Sequence, residues 1–132
     1  MAEGKPIRVE IAAGELIDKI TILEIKSERI ADAEKLRNVR AELDMLRSAR
    51  DGAVTASLDL TELTSRLTAV NESLWNIEDD IRACERTKDF GPRFVNLARS
   101  VYHNNDHRAA LKRKINELLD STIVEEKAYT AY

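Results

Sequence analysis

The feature that most constrains the fold is a long stripe of apolar side chains in the second half of the chain. Between residues 63 and 84 the intervals alternate between three and four, and the stripe consists of Leu63, Leu67, Val70, Leu74, Ile77, Ile81 and Cys84. This period is typical of a helix that packs along a partner helix at a shallow angle. It predicts a long helix over about residues 59–88, with Asp59 or Thr61 as its N-cap.

A second helix with the same spacing follows a clear break. The break is the segment Lys88-Asp89-Phe90-Gly91-Pro92, and proline is well tolerated in the first turn of a new helix. The stripe beyond it consists of Phe94, Leu97, Val101, Asn104, Arg108, Leu111, Ile115 and Leu118. The two segments predict an antiparallel αα-hairpin, in which two central stripe positions, Asn104 and Arg108, are unexpectedly polar.

The first half of the chain predicts a shorter hairpin. A helix over residues 14–30 would have Glu15 and Asp18 in its first turn, and Ile22 and Ile25 lie off its main apolar face. Such a helix is either buried between two neighbours of one bundle or uses Ile22 and Ile25 to meet a second subunit. The next helix is expected over about 33–49, ended by Asp51-Gly52.

Together these segments predict an all-α fold. With 132 residues the chain is one domain, an antiparallel helical bundle of about four helices in two αα-hairpins, of which the second is long. Residues 1–12 form an extended arm, in which 7–12 could be a short strand. Residues 122–132 combine apolar and tyrosine side chains, and we expect this tail to dock on another surface.

Charge and composition narrow the partners. The chain has 21 basic and 24 acidic side chains, so it has no strong positive field to attract nucleic acid or an anionic membrane. No apolar run approaches the length of a bilayer span, and the single cysteine, Cys84, excludes an internal disulfide. We therefore expect a cytoplasmic protein that binds neither nucleic acid nor membrane, with Cys84 as a core residue.

A second, polar stripe flanks the apolar one on each helix of the long hairpin. The two polar stripes can face each other across the hairpin, and the candidate ligand-binding residues are Asn71, Trp75, Glu78, Asp79, Arg82, Tyr102, Asn105, Asp106 and Arg108. One interpretation is a buried network in which these groups satisfy one another and fix the helix register. The other is a cleft with arginines for an anionic ligand and Trp75 and Tyr102 as its apolar wall.

Other chemical motifs are weak. Successive helical residues point about 100° apart, so Glu78, Asp79 and Asp80 cannot converge on a metal by themselves. His103 and His107 have the i, i+4 spacing of zinc ligands but lack the flanking glutamate of a metalloprotease helix. We predict no metal site and no cofactor, and the catalytic residues, if there are any, remain unassigned.

Several segments resemble a family of short bacterial proteins of unknown function. The resemblance spans nearly the whole chain and is carried by GELIDKITILEIKSERI, NVRAEL, NESLWNIEDDIR, KDFGPRFVNLARSVYHNNDHRAALKRKIN and VEEKAY. The pattern N-x-x-L-W-x-x-E-D followed by N-D-x-R is also similar to a second uncharacterised bacterial family. The resemblance implies a bacterial, cytoplasmic, all-helical protein, and it implies no activity.

Three functions are compatible with these features. The leading expectation is a helical bundle of undetermined activity that self-associates, as a homodimer, and whose polar cleft between the last two helices binds a small anionic ligand. One alternative is an enzyme that acts on a phosphorylated or sugar-nucleotide metabolite with Glu78 or Asp79 as base or metal ligand. The other is a protein–protein interaction module that docks through its two-faced first helix.

Overall fold

The computed structural model describes residues 4–132, which form four α-helices and no strand. The helices are α1 (Ala13–Arg29), α2 (Ala33–Ala53), α3 (Leu58–Thr87) and α4 (Pro92–Leu118). The predicted all-α helical bundle is confirmed. Residues 1–3 of the predicted arm lie outside the described residues, and residues 4–12 form neither the considered strand nor a helix. Within the described part of the chain, no helix has the length and apolar character needed to cross a membrane.

Two helix ends differ from the sequence prediction. The helix α2 continues through Asp51-Gly52 to Ala53 and does not stop near residue 49, because a glycine in the last turn of an exposed helix costs only about 1 kcal/mol. The N-cap of α3 is Ser57, not Asp59 or Thr61, and its side chain accepts a hydrogen bond from the backbone N–H of Leu60 at 3.1 Å. At the other end of α3, Lys88 adopts the left-handed conformation that closes the helix.

The first helix lies at the centre of the molecule. One side of α1 packs on α2 through Ile20, Leu23, Val39 and Leu43. Its other side joins α3 and α4 in a cluster of Ile17, Leu60, Leu67, Val70, Leu111 and Ile115. In contrast, α2 packs on α1 alone and touches neither α3 nor α4.

The central position of α1 explains its two apolar faces. Ile25, which lies off the main stripe, is only 3% exposed, and Ile22 is half-buried, both within a single chain. Neighbours in one bundle therefore cover the second face at Ile25, whereas Ile22 stays partly exposed. The interaction module remains a prediction.

The hairpin of α3 and α4 has two unlike halves. In the proximal half, residues 58–75 of α3 and 105–118 of α4 pack with α1, and Leu67, Leu111 and Ile115 are fully buried. In the distal half, residues 76–87 and 92–104, the stripe positions Ile81 and Leu97 are only partly buried. At the C-terminal end of α4 the predicted stripe shifts by one residue: Leu118 is exposed, and Leu119 packs against the core in its place.

A close approach of α1 to α4 fixes the proximal half. Gly14 lies against the backbone of α4, where an added Cβ would overlap the carbonyl oxygen of Lys112. The backbone N–H of Gly14 donates to Oδ1 of Asn116 at 2.6 Å, so α4 supplies the cap that α1 lacks from its own N-cap residue, Ala12. Lys112 reinforces this contact through Nζ, which lies 2.7 Å from a carboxylate oxygen of Glu15.

Candidate functional site

A buried ion pair between α1 and α4 forms the base of the candidate site. The carboxylate of Asp18 is fully buried, at 0% exposure, and it accepts hydrogen bonds from Nε and Nη2 of Arg108, the first at 3.0 Å. The Nδ2 group of Asn71, on α3, donates to the same Asp18 oxygen at 2.9 Å and to Oγ1 of Thr21 at 2.9 Å. Three helices therefore converge on one carboxylate.

This network satisfies its own buried groups. Thr21 completes it by donating to the main-chain oxygen of Asp18 at 2.7 Å, and within residues 4–132 no fully buried side-chain nitrogen or oxygen lacks a partner. The hydrogen bond to Asp18 raises the pKa of Arg108 above its ordinary value, despite the opposing effect of burial. The guanidinium is thus held charged and in one orientation.

A pocket of about 450 Å³ opens directly beside this network. Its size lies within the range of small-molecule sites. The wall is formed by α1, α3 and α4, and its residues are Ile22, Ile25, Lys26, Asn71, Leu74, Trp75, Glu78, Asp79, Arg82, Asn105 and Arg108. Seven of the nine residues proposed from the sequence therefore lie around a single cavity.

The guanidinium of Arg108 has a free edge at this pocket. Asp18 occupies the edge formed by Nε and Nη2, whereas Nη1 has no hydrogen-bond partner in the described chain. A guanidinium carries five N–H donors in a rigid fork, so the edge formed by Nη1 and the second hydrogen of Nη2 can still bind two oxygens of an anion. The side chain of Arg108 is 29% exposed, which is enough to reach a ligand.

The other two cations of the pocket differ in how they are engaged. The ammonium group of Lys26 forms no ion pair or hydrogen bond with residues 4–132, although the side chain is half-buried. Arg82 pairs with Glu78 one turn earlier on α3, where both side chains are well exposed. Because exposed pairs of this kind contribute little, Arg82 is available to exchange Glu78 for a ligand.

One buried side chain of the pocket wall keeps a hydrogen-bond acceptor without a partner. Asn71 is only 6% exposed, and its Nδ2 is committed to Asp18 and Thr21. Asp18 can only accept, so the amide orientation is fixed by the network. The remaining atom, Oδ1, accepts no hydrogen bond within the described range, and it belongs to a residue that lines the cavity.

Tyr102 and Asp106 do not line this pocket. They lie i, i+4 on a neighbouring face of α4, where Tyr132 of the C-terminal tail donates its hydroxyl hydrogen bond to Asp106. The ring of Tyr132 meets Tyr102 edge-on at 5.2 Å between centroids. The hydrogen bond to Asp106 raises the pKa of Tyr132 to about 12. Adjacent residues of a helix point about 100° apart, so a shift of one residue along α4 was enough to place Tyr102 and Asp106 wrongly in the cleft.

The tail is also tied to α4 by ion pairs. Nζ of Lys112 lies 2.7 Å from a carboxylate oxygen of Glu125, and Arg113 lies 3.3 Å from Glu126. Burial lowers the pKa of Lys112, but hydrogen bonds to Glu125 and Glu15 raise it by more, so the net pKa is above its ordinary value. The tail therefore runs back along α4 on the side of Tyr102.

The contribution of α1 to the site was not predicted from the sequence. Asp18 is not a first-turn carboxylate that favours the helix dipole; it lies in the second turn and is buried. The signal was present, because Asp18, Ile22 and Ile25 follow at intervals of four and three and share the second face of α1. A carboxylate at one end of an otherwise apolar helix face indicates a buried partner on another helix.

A second groove, of about 400 Å³, separates α3 from the end of α2 and has a different character. Its floor is Ile17 and Ile20, and its wall includes threonines such as Thr64 and Thr68, whose hydroxyls donate to carbonyl oxygens of their own helix. Its charged side chains, Arg50 and Asp51, pair with each other at 3.0 Å. The charges of this groove therefore neutralise each other, whereas the pocket beside Arg108 also holds Lys26, which pairs with no described residue.

The family assignment follows from the sequence match. The model described as "Family of unknown function (DUF6165)" matches residues 7–132. The chain belongs to this family. The match covers all four helices and every residue of the pocket. No curated protein and no solved structure matches the chain. The family description names no activity.

Proposed function

We propose that the protein binds a small anionic metabolite in the pocket between α1, α3 and α4. The observation that carries the proposal is the geometry of Arg108. Asp18 holds its guanidinium through the edge formed by Nε and Nη2, and the edge with Nη1 is free. A charged donor whose orientation is fixed before binding loses little entropy when a ligand arrives. Fork-shaped recognition of a carboxylate or phosphate is the chemistry for which arginine is best suited.

The remaining wall supports the same function. Lys26 supplies a second, uncommitted positive charge, and Leu74, Trp75 and Ile22 supply apolar surface for the rest of a ligand. Pockets for small molecules combine mainly apolar walls with a few convergent polar groups, as this one does.

Ligand binding is tested by isothermal titration and thermal shift on the full chain. The panel contains aliphatic and aromatic carboxylates, a sugar phosphate and a sugar nucleotide. We expect at least one member to bind, and Lys26→Ala to weaken its affinity by about tenfold, the equivalent of one charge-assisted hydrogen bond. Lys19→Ala is the matched control, because Lys19 is an exposed lysine of α1 outside the pocket. Absence of binding at millimolar concentration for the whole panel would contradict the proposal.

Catalysis at the same site is a second proposal, favoured by Asp79. Asp79 is a lining residue of the pocket, and its carboxylate forms no ion pair with the described residues. A carboxylate in this position can take a proton from a bound substrate. If the pocket catalyses turnover of a phosphorylated or sugar-nucleotide metabolite, Asp79→Asn should abolish turnover while the ligand still binds. If the variant no longer binds the ligand, Asp79 is needed for binding and its role as a base is rejected.

Self-association is a third proposal, and it concerns the distal half of the hairpin. Phe90 is 51% exposed and Val95 is 49% exposed, next to stripe residues that α1 does not cover. The hairpin of a second copy, with the same coiled-coil spacing, would bury these positions and complete a homodimer. Light scattering should then give twice the mass of the chain, and Val95→Glu should return it to the monomer mass. A monomer at all concentrations in the parent protein would reject the dimer.

A further inference from the structure

We propose that the ligand of this pocket carries a carboxylate with an amine or hydroxyl group on the neighbouring carbon, and an apolar side chain. The inference rests on the proposed function and names the chemical class of the metabolite. It depends on the charge of the pocket, on the corner formed by Arg108 and Asn71, and on the apolar wall.

The charges of the site balance. Three cations, Lys26, Arg82 and Arg108, are matched by the carboxylates of Glu78, Asp79 and the underlying Asp18. A phosphate monoester brings nearly two negative charges at neutral pH and would leave the site with a net negative charge. A single carboxylate, particularly one in a zwitterion, leaves it nearly balanced. The charge therefore favours a monocarboxylate over a phosphate monoester.

Arg108 and Asn71, the two residues beside Asp18, favour a ligand with a hydrogen-bond donor next to its anionic group. Nε of Arg108 and Nδ2 of Asn71 both donate to Oδ1 of Asp18, so the two side chains are neighbours. The groups that remain without a partner are donors on Arg108, at Nη1 and Nη2, and the acceptor Oδ1 on Asn71. A phosphate dianion offers no hydrogen to this oxygen and would place its own lone pairs against it. An ammonium or hydroxyl group beside a carboxylate satisfies both residues at once.

The wall next to this corner determines the remainder of the ligand. Leu74 and Trp75 follow Asn71 by one turn of α3, and Ile22 faces them from α1. A ligand anchored at Arg108 and Asn71 therefore projects its side chain onto an aliphatic and indole surface. An apolar or aromatic side chain gains free energy there by removing this surface from water.

The experiment compares four phenyl compounds that differ only in the head group. Calorimetric titration of the full chain uses L-phenylalanine, phenyllactate, phenylpropionate, which lacks the donor, and phenylethyl phosphate. We expect phenylalanine or phenyllactate to bind about tenfold more tightly than phenylpropionate, the equivalent of one satisfied hydrogen bond, and more tightly than the phosphate.

The outcomes separate this inference from the proposed function. Equal binding of phenylpropionate and phenyllactate would reject the donor next to the carboxylate. Tightest binding of phenylethyl phosphate would reject the carboxylate but leave the anion pocket standing. If neither these compounds nor the wider panel binds, both proposals fail. Arg108→Lys, which keeps the charge but not the fork, should remove the preference for carboxylates. Its folding is checked by circular dichroism, and the ligand series decides the question if this variant unfolds.

Discussion

The proximal and distal halves of the α3–α4 hairpin share one apolar spacing but differ in how fully it is buried. In the proximal half α1 lies against the hairpin, and Leu111 is 1% exposed. In the distal half the two helices pack mainly on each other, and Leu97 stays partly exposed. Coiled-coil spacing therefore fixes which residues face each other, and the third helix extends their burial: away from α1, Cys84 is buried but Ile81 and Leu97 stay partly exposed.

The pocket lies at the boundary between these two halves. The last turns of α1 line it through Ile22, Ile25 and Lys26, and α3 lines it from Asn71 to Arg82. Along a helix these eleven residue steps span about 16 Å. The Asn71 end of the pocket adjoins the buried network, and the Arg82 end opens to solvent. A ligand here would meet fixed groups at one end and mobile ones at the other.

The two arginine–carboxylate pairs of the pocket give the largest expected contrast. Arg108→Met leaves the buried carboxylate of Asp18 without its cation, and we expect the free energy of unfolding to fall by about 3–5 kcal/mol. Arg82→Met removes an exposed ion pair with Glu78 and should change the free energy of unfolding by less than about 1 kcal/mol. Urea denaturation measures both. Similar losses of unfolding free energy in the two variants would show that water reaches the Asp18–Arg108 pair.

Two leucines of equal size test the apolar core. Leu111→Ala creates a cavity where the side chain is almost fully buried, and the expected loss of unfolding free energy is about 2–5 kcal/mol. Leu97→Ala removes a partly exposed side chain and should cost about half as much, because less apolar area is lost. Chemical denaturation of the two variants should keep this order. A larger effect at Leu97 would indicate that another molecule covers the distal half.

Two glycines test the close approach of α1 and α4. Gly14→Ala forces its Cβ against the backbone of α4 at Lys112, and we expect a loss of about 1–3 kcal/mol from overpacking. Gly52→Ala has open space around it in the last turn of α2 and should stabilise the protein by about 0.5–1 kcal/mol. Thermal unfolding would show opposite shifts in melting temperature. A neutral Gly14→Ala would mean that the two helices separate at little cost.

The tail gives the smallest effect, and it depends on pH. The folded pKa of Tyr132 is raised from 10.0 to about 12 by the hydrogen bond to Asp106. A raised pKa means that the tail contact is fully present below pH 10 and is lost as the pH rises through about 12. In an ultraviolet titration of tyrosinate, Tyr132→Phe should remove the component near 12, and Asp106→Asn should move it towards 10. If Tyr132→Phe instead removes a component near 10.0 and Asp106→Asn leaves the curve unchanged, the tail is not held at Asp106.

The sequence was sufficient for the helices and for most of the pocket wall, because both depend on local periodicity. Asn71, Trp75 and Glu78 share a face of α3 at helical spacing, and this face could be identified without coordinates. The partner of Arg108 could not be found in this way. Asp18 lies 90 residues away, and the spacing along α1 indicates a buried partner for Asp18 without showing which residue of another helix it is.

The sequence also did not show which of two adjacent polar residues on α4 lines the pocket. Asn105 lines the pocket and Asp106 contacts the tail, although both are polar and adjacent in the chain. The rotation of α4 about its own axis decides between them, and that rotation is set by Gly14 and Asn116 at the contact with α1. Apolar spacing defines the buried side of a helix to within about one residue, or about 100°.

The isolation of α2 has a practical consequence for studying this protein. The helix α2 packs on α1 alone and contributes no residue to the pocket, and Met45 is 60% exposed on it. Cys84, the natural thiol, is buried. A cysteine introduced at Met45 would therefore be the single reactive attachment point, so a fluorophore or a biosensor surface can be coupled there without obstructing ligand entry.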